Sequence, residues 1–176
     1  MKFAVPVIVA AAVLLAAPAQ SQNTGSLAAD VLSDWQGQKA QLMGIADAMP
    51  ADKFAYKATP AQRSYAEQIL HIVQVNSFLL RSLGAKAAAP TINMDVTAKA
   101  DVLRALEQSY DYGATVLREF NDATIGEPVD GPPFLGRSTR IRIAYFAMSH
   151  AMDIYGQMAV YLRLNDIVPP ASRRGV

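Results

Sequence analysis

His150-Ala-Met-Asp-Ile-Tyr-Gly-Gln157, with the apolar run from Met158 to Pro170 behind it, decides how this chain is read. It carries one of only two histidines in the sequence, inside the most hydrophobic helix-like segment. Ile141, Ile143, Tyr145, Phe146 and Met148 precede it; Ile154, Met158, Tyr161, Leu162 and Leu164 follow. A helix that is apolar nearly all round is expected to be central to its fold. Its bounds are set by Ser138 as a candidate cap and by Asn165, with Pro169-Pro170 beyond. Within it His150, Asp153, Gln157 and Tyr161 recur at three and four residues and form one polar-edged line.

Three further helices are predicted upstream. Leu27, Val31, Trp35, Leu42 and Ile45 fall three, four or seven apart, the period of one helix face over residues 26–48. Met49-Pro50 ends that helix, because the residue before a proline is pushed out of the α region. Residues 50–63 read as an ordered loop packing Phe54 and Tyr56 onto the bundle end. Ser64 followed by Glu67 is a capping-box pattern opening a helix over 64–83, which Gly84 ends in the left-handed conformation. This second helix holds the other histidine, His71, with Gln68 one turn before it.

The Ala-rich connection 85–96 spans roughly 40 Å if extended, more than a 20-residue helix is long. Helix three, 97–121, therefore need not run antiparallel to helix two. Val102, Leu103, Leu106, Tyr110, Ala114, Leu117 and Phe120 form its face, and Gly113 is a flaw costing about 1 kcal/mol against Ala. Residues 122–137, rich in Gly and Pro, form a second loop. Four amphipathic helices without a convincing strand predict an all-α four-helix bundle, up-down-down-up.

Composition narrows function by exclusion. The amino terminus (Lys2, the apolar run Phe3 to Ala17, then Ala17-Pro18-Ala19) has the three regions of a cleaved signal peptide. Residues 1–19 are assigned to it and residues 20–176 to one exported, periplasmic domain. Without Lys2 the 16 basic residues become 15, matching 15 acidic ones. Such a chain shows no basic footprint for nucleic acid, and no membrane segment remains after cleavage. The absence of cysteine excludes disulfides, thiolate metal ligands and a Cys nucleophile. Phosphate-loop and dinucleotide-binding glycine patterns are missing. Ser149 and His150 are adjacent and point about 100° apart on a helix, which is no nucleophile–base pair.

What remains is a metal reading and a plain one. His71 and His150 on facing helices, joined by Asp153 at i, i+3, make a two-His, one-carboxylate set suited to a divalent ion. On the plain reading the histidines are satisfied core or surface groups, and Asp153 faces solvent or pairs with Arg163 or Arg81.

The segment Pro50 to Pro60 running into Arg63-Ser-Tyr-Ala-Glu-Gln-Ile-Leu-His71, and His150 to Gln157 with Tyr161 to Pro170, resemble the DinB-like family of four-helix proteins. The resemblance spans residues 25–172. It implies an up-down-down-up bundle, often dimeric, with a divalent metal (Zn²⁺ or Ni²⁺) held by three histidines. One of these comes from helix two and two, spaced His-x-x-x-His, from the last helix. His71 matches the first and His150 the second; the third position is Ile154. Either Asp153 takes that place or the fold persists without metal. Family members with known activity resemble thiol-dependent transferases or hydrolases that use low-molecular-weight thiols. The alternative is a non-catalytic, metal-free bundle binding a small molecule or protein partner. A homodimer would use the Tyr- and Met-bearing faces of helices one and four.

Overall fold

The protein was analysed as a computed structural model that describes residues 25–173; the assigned signal segment lies outside them. Four long helices carry the fold: α1 (Leu27–Ala48), α2 (Tyr65–Arg81), α3 (Lys99–Leu117) and α4 (Arg140–Arg163). Among the described residues no helix is long and apolar enough to cross a membrane.

Local chemistry starts the helices where the sequence places them. The Ser26 hydroxyl accepts from the Ala29 amide and opens α1. Ser64 and Glu67 form the complete capping box of α2, hydroxyl to the Glu67 amide and carboxylate to the Ser64 amide. Gly84, at φ 72°, follows α2 in the left-handed region that an L side chain disfavours.

Helix directions follow from which side chains meet. Trp35 Nε1 donates to the Tyr110 carbonyl, while Lys99, at the other end of α3, pairs with Asp47. Helices α1 and α3 are therefore antiparallel. Tyr145 donates to Asp34 and Gln38 donates to the Met148 carbonyl, which makes α1 and α4 parallel. His71 meets His150 and Gln68 meets Gln157, so α2 and α4 are antiparallel. Each helix packs on two neighbours, α1 and α2 both between α3 and α4. This is the up-down-down-up bundle, and the connection 85–96 supplies the long return it requires. Glu119 anchors the start of that connection by accepting from the amides of Lys86 and Ala87.

The core is aromatic and its polar tips are satisfied by backbone carbonyls, except that Tyr110 donates to Gln38 Oε1. Trp35, Tyr65, Tyr110 and Tyr161 are fully buried. Tyr65 donates to the Ile45 carbonyl at 2.6 Å and Tyr161 to the Arg63 carbonyl at 2.7 Å. Phe54 packs edge-on against Tyr65 and Tyr56 against Tyr161, so the 50–63 loop does close the bundle end. That end also holds the candidate site.

Four expectations are corrected. The second loop contains a small antiparallel hairpin, β1 (Pro128–Asp130) with β2 (Arg137–Thr139), set by Gly136 at φ 59°. The cap of α4 is Thr139, accepting from the Arg142 amide, because Ser138 is held in β2 with its hydroxyl on Leu135 and Arg142. Helix α4 is no more central than the other three: among the long helices it packs on α1 and α2, it also contacts β2, and Tyr145, Phe146, Met152 and Val160 stand exposed on its outward side. Helix α3 is also shorter than its periodicity suggests, ending at Leu117.

Candidate functional site

His71 lies near the middle of α2, and His150 lies opposite it on α4. Antiparallel packing brings their Nε2 atoms to 3.2 Å, with ring centroids 4.9 Å apart and planes at 70°. Both rings are half-buried. Burial is the main cause holding the His71 pKa below the usual histidine range; the nearby Arg63 charge adds to it, against a hydrogen bond from Gln74. His150 is lowered chiefly by burial, then by His71 and Arg63, with Asp153 acting in the opposite sense. Both imidazoles are thus neutral near pH 7, the form that ligates metals.

The separation of the two nitrogens is that of a hydrogen bond between neutral imidazoles, and it is also close to the spacing of two ligands on one ion. An ion about 2.05 Å from each of two tetrahedral nitrogen ligands sets them roughly 3.3 Å apart. The His71–His150 pair matches that bite. The remaining expected ligand does not join it. Asp153 is exposed and accepts from Gln157 Nε2 at 2.9 Å, while Gln157 Oε1 accepts from Gln68 Nε2 at 2.8 Å. Neither Arg163 nor Arg81 pairs with it among the described residues. Ile154 is buried in the core, one turn on from His150, and offers no donor. Among the described residues no three His, Asp or Glu side chains are grouped to hold one ion. The residues fit a two-nitrogen site and not a three-ligand one.

Two buried atoms beside the pair have no protein partner: His150 Nδ1 and Gln68 Oε1. A ligating histidine usually donates its other ring N–H to a fixed acceptor. No protein group does so for His150.

The site opens outward into a cleft of about 550 Å³ beside α2, lined by His71, Gln74, Glu67, Arg63, Lys57 and Met94 among others. Sequence reasoning missed Arg63, Lys57 and Met94. Only the position of Arg63 offered a signal: it immediately precedes Ser64, the cap of the helix that carries His71.

This arrangement defines a class: a four-helix bundle with a histidine pair linking its second and fourth helices at a loop-closed end. The chain belongs to the DinB superfamily, whose sequence profile matches residues 35–158. Its fold is similar to that of a DinB-like protein from Bacillus cereus ATCC 10987 (TM-score 0.71, 17% identity), covering 86% of this chain and 97% of that one. A DinB-like protein from Bacillus subtilis is also similar, at TM-score 0.63 and 17% identity, covering 78% and 92% of the two chains. No curated protein matches the sequence.

Proposed function

We propose that this is an exported DinB-superfamily protein that binds one divalent metal, Zn²⁺ or Ni²⁺, through Nε2 of His71 and His150. The observation that carries the reading is the 3.2 Å approach of the two imidazole nitrogens, with His71 lining a cleft. Asp153 is not counted among the ligands, because its carboxylate is held by Gln157. Few protein ligands leave coordination positions for exogenous groups, as a transferase or hydrolase needs and a structural site does not. A divalent ion there would supply a bound water of lowered pKa. The chain's own residues would do the rest: Arg63 would orient an anionic group, and the Gln68–Gln157 link ties α2 to α4 beside the pair.

Metal analysis of the zinc- or nickel-loaded mature protein tests this. Near one ion per chain is expected, lost in His71→Ala and His150→Ala while circular dichroism stays helical. A folded protein that remains metal-free under replete conditions, with melting unmoved by chelator, overturns it. That result favours the non-catalytic bundle binding a small molecule or partner.

For oligomeric state we propose a homodimer through the outward side of α4. Tyr145, Phe146, Met152 and Val160 are exposed there beside a groove along α1.

A further inference from the structure

Two clefts meet on the outward side of α2. The first, about 550 Å³, contains Arg63, Lys57 and His71; the second, about 240 Å³, contains Phe78, Ile92 and Pro90. Gln74 and Met94 line both, so the two clefts adjoin and together form a groove along α2. Its floor is α2, where His71, Gln74 and Phe78 form a single stripe at i, i+3 and i+7. Its far wall is the 85–96 connection, in which Ile92, Met94 and Val96 are half-buried against the core and the residues between them are exposed.

The groove is graded along its length. At the histidine end Arg63 has no carboxylate partner among the described residues, whereas Lys57 already pairs with Glu67 at 3.3 Å. At the other end Phe78 is 52% exposed, one of the more exposed large apolar side chains on the helices. Single exposed apolar residues are common. This one lines a cavity together with Ile92 and Met94; Arg81 lines it too and, like Arg63, has no carboxylate partner among the described residues.

We infer that the groove binds an elongated amphipathic carboxylate, with its head at Arg63 beside the histidine pair and its chain along Met94 and Phe78. The inference rests on reading His71 and His150 as the functional centre. Charge and length both select this ligand. Arg63, without a carboxylate partner among the described residues, stands beside His71 where the head would lie. The seven residues from His71 to Phe78 rise roughly 10 Å, the reach of an extended octanoyl chain. Each methylene removed from water strengthens binding roughly three- to four-fold, so the apolar end discriminates by chain length.

Calorimetric titration of the mature chain, zinc-loaded and chelator-treated, with octanoate, acetate and octan-1-ol tests it. Octanoate is expected to bind at least about ten-fold tighter than either comparator. Phe78→Ser should weaken octanoate about ten-fold and leave acetate unchanged, and Arg63→Gln should reduce octanoate to the level of octan-1-ol. Phe146→Ser, on the outward side of α4, should change nothing. Octanoate binding no tighter than acetate, or lost in Phe146→Ser but not in Phe78→Ser, overturns the inference. Metal content of each sample separates the two readings. A metal-free protein that still prefers octanoate retains the groove and sinks the metal centre. A metal-loaded protein with no preference sinks the groove alone.

Discussion

Replacing Gly113 with Ala inside a helix would ordinarily stabilise a protein by about 1 kcal/mol. Here the opposite sign is expected. A Cβ at this position would lie 2.2 Å from Cζ2, 2.4 Å from Cε2 and 2.8 Å from Nε1 of Trp35. That indole is fully buried, stacks at 4.7 Å on Tyr110 and donates to the Tyr110 carbonyl at 2.9 Å. Carbon atoms need about 3.5 Å or more, so the ring must move by over an ångström. Overpacking of this kind costs about 1–3 kcal/mol. Pulling Nε1 from its carbonyl leaves a buried donor unmatched, about 1–3 kcal/mol more. After the helix gain is subtracted, Gly113→Ala should lower stability by about 3 kcal/mol. Urea unfolding followed by circular dichroism measures it. Trp35→Phe, which removes the obstructing ring atoms, should cost less in the Gly113→Ala background than in the parent. A Gly113→Ala midpoint at or above the parent value would refute the reasoning.

Two other outcomes follow from the site and surface. In chelator-treated protein both histidines have folded pKa values below the unfolded one, so the unfolded state binds protons first as pH falls. Their contribution to stability is complete above about pH 6.5 and is lost on acidification through the lowered values. Urea midpoints between pH 7.5 and 5 should therefore decline, and the His71→Gln/His150→Gln double variant should flatten that decline; equal slopes would contradict it. The outward face of α4 should give a dimeric mass by analytical ultracentrifugation that falls to monomer in Tyr145→Glu/Met152→Glu, and a monomeric parent would end the dimer proposal.

The octanoate and metal experiments bear on one side of the molecule from different directions. Arg63 places a positive charge near the two histidines, which by itself opposes a cation between them. Metal and anionic head would therefore assist each other, and chelator-treated protein should bind octanoate more weakly than loaded protein if both readings hold.

Local rules determined much of this protein directly from its sequence. Ser64 and Glu67 act within one turn of helix, Gly84 answers a single φ angle, and the 3.6-residue stripes of four segments require four helices around a shared core. Length alone let the 85–96 connection run back along the bundle. The resemblance carried by residues 150–157 identified the family through its spacing. Other features depended on groups far apart in the chain. Gly113 reads as a flaw until Trp35, from another helix, occupies the space its missing Cβ leaves. Ser138 reads as the cap of the last helix until β1 claims it and leaves the role to Thr139. Asp153 has the right spacing for a ligand, but Gln157 holds its carboxylate while Gln68, from the facing helix, holds Gln157. Periodicity reports which face of a helix is buried. It says nothing of which partner a rotamer selects, because that choice is made by hydrogen bonds and contacts that exist only after the helices have packed.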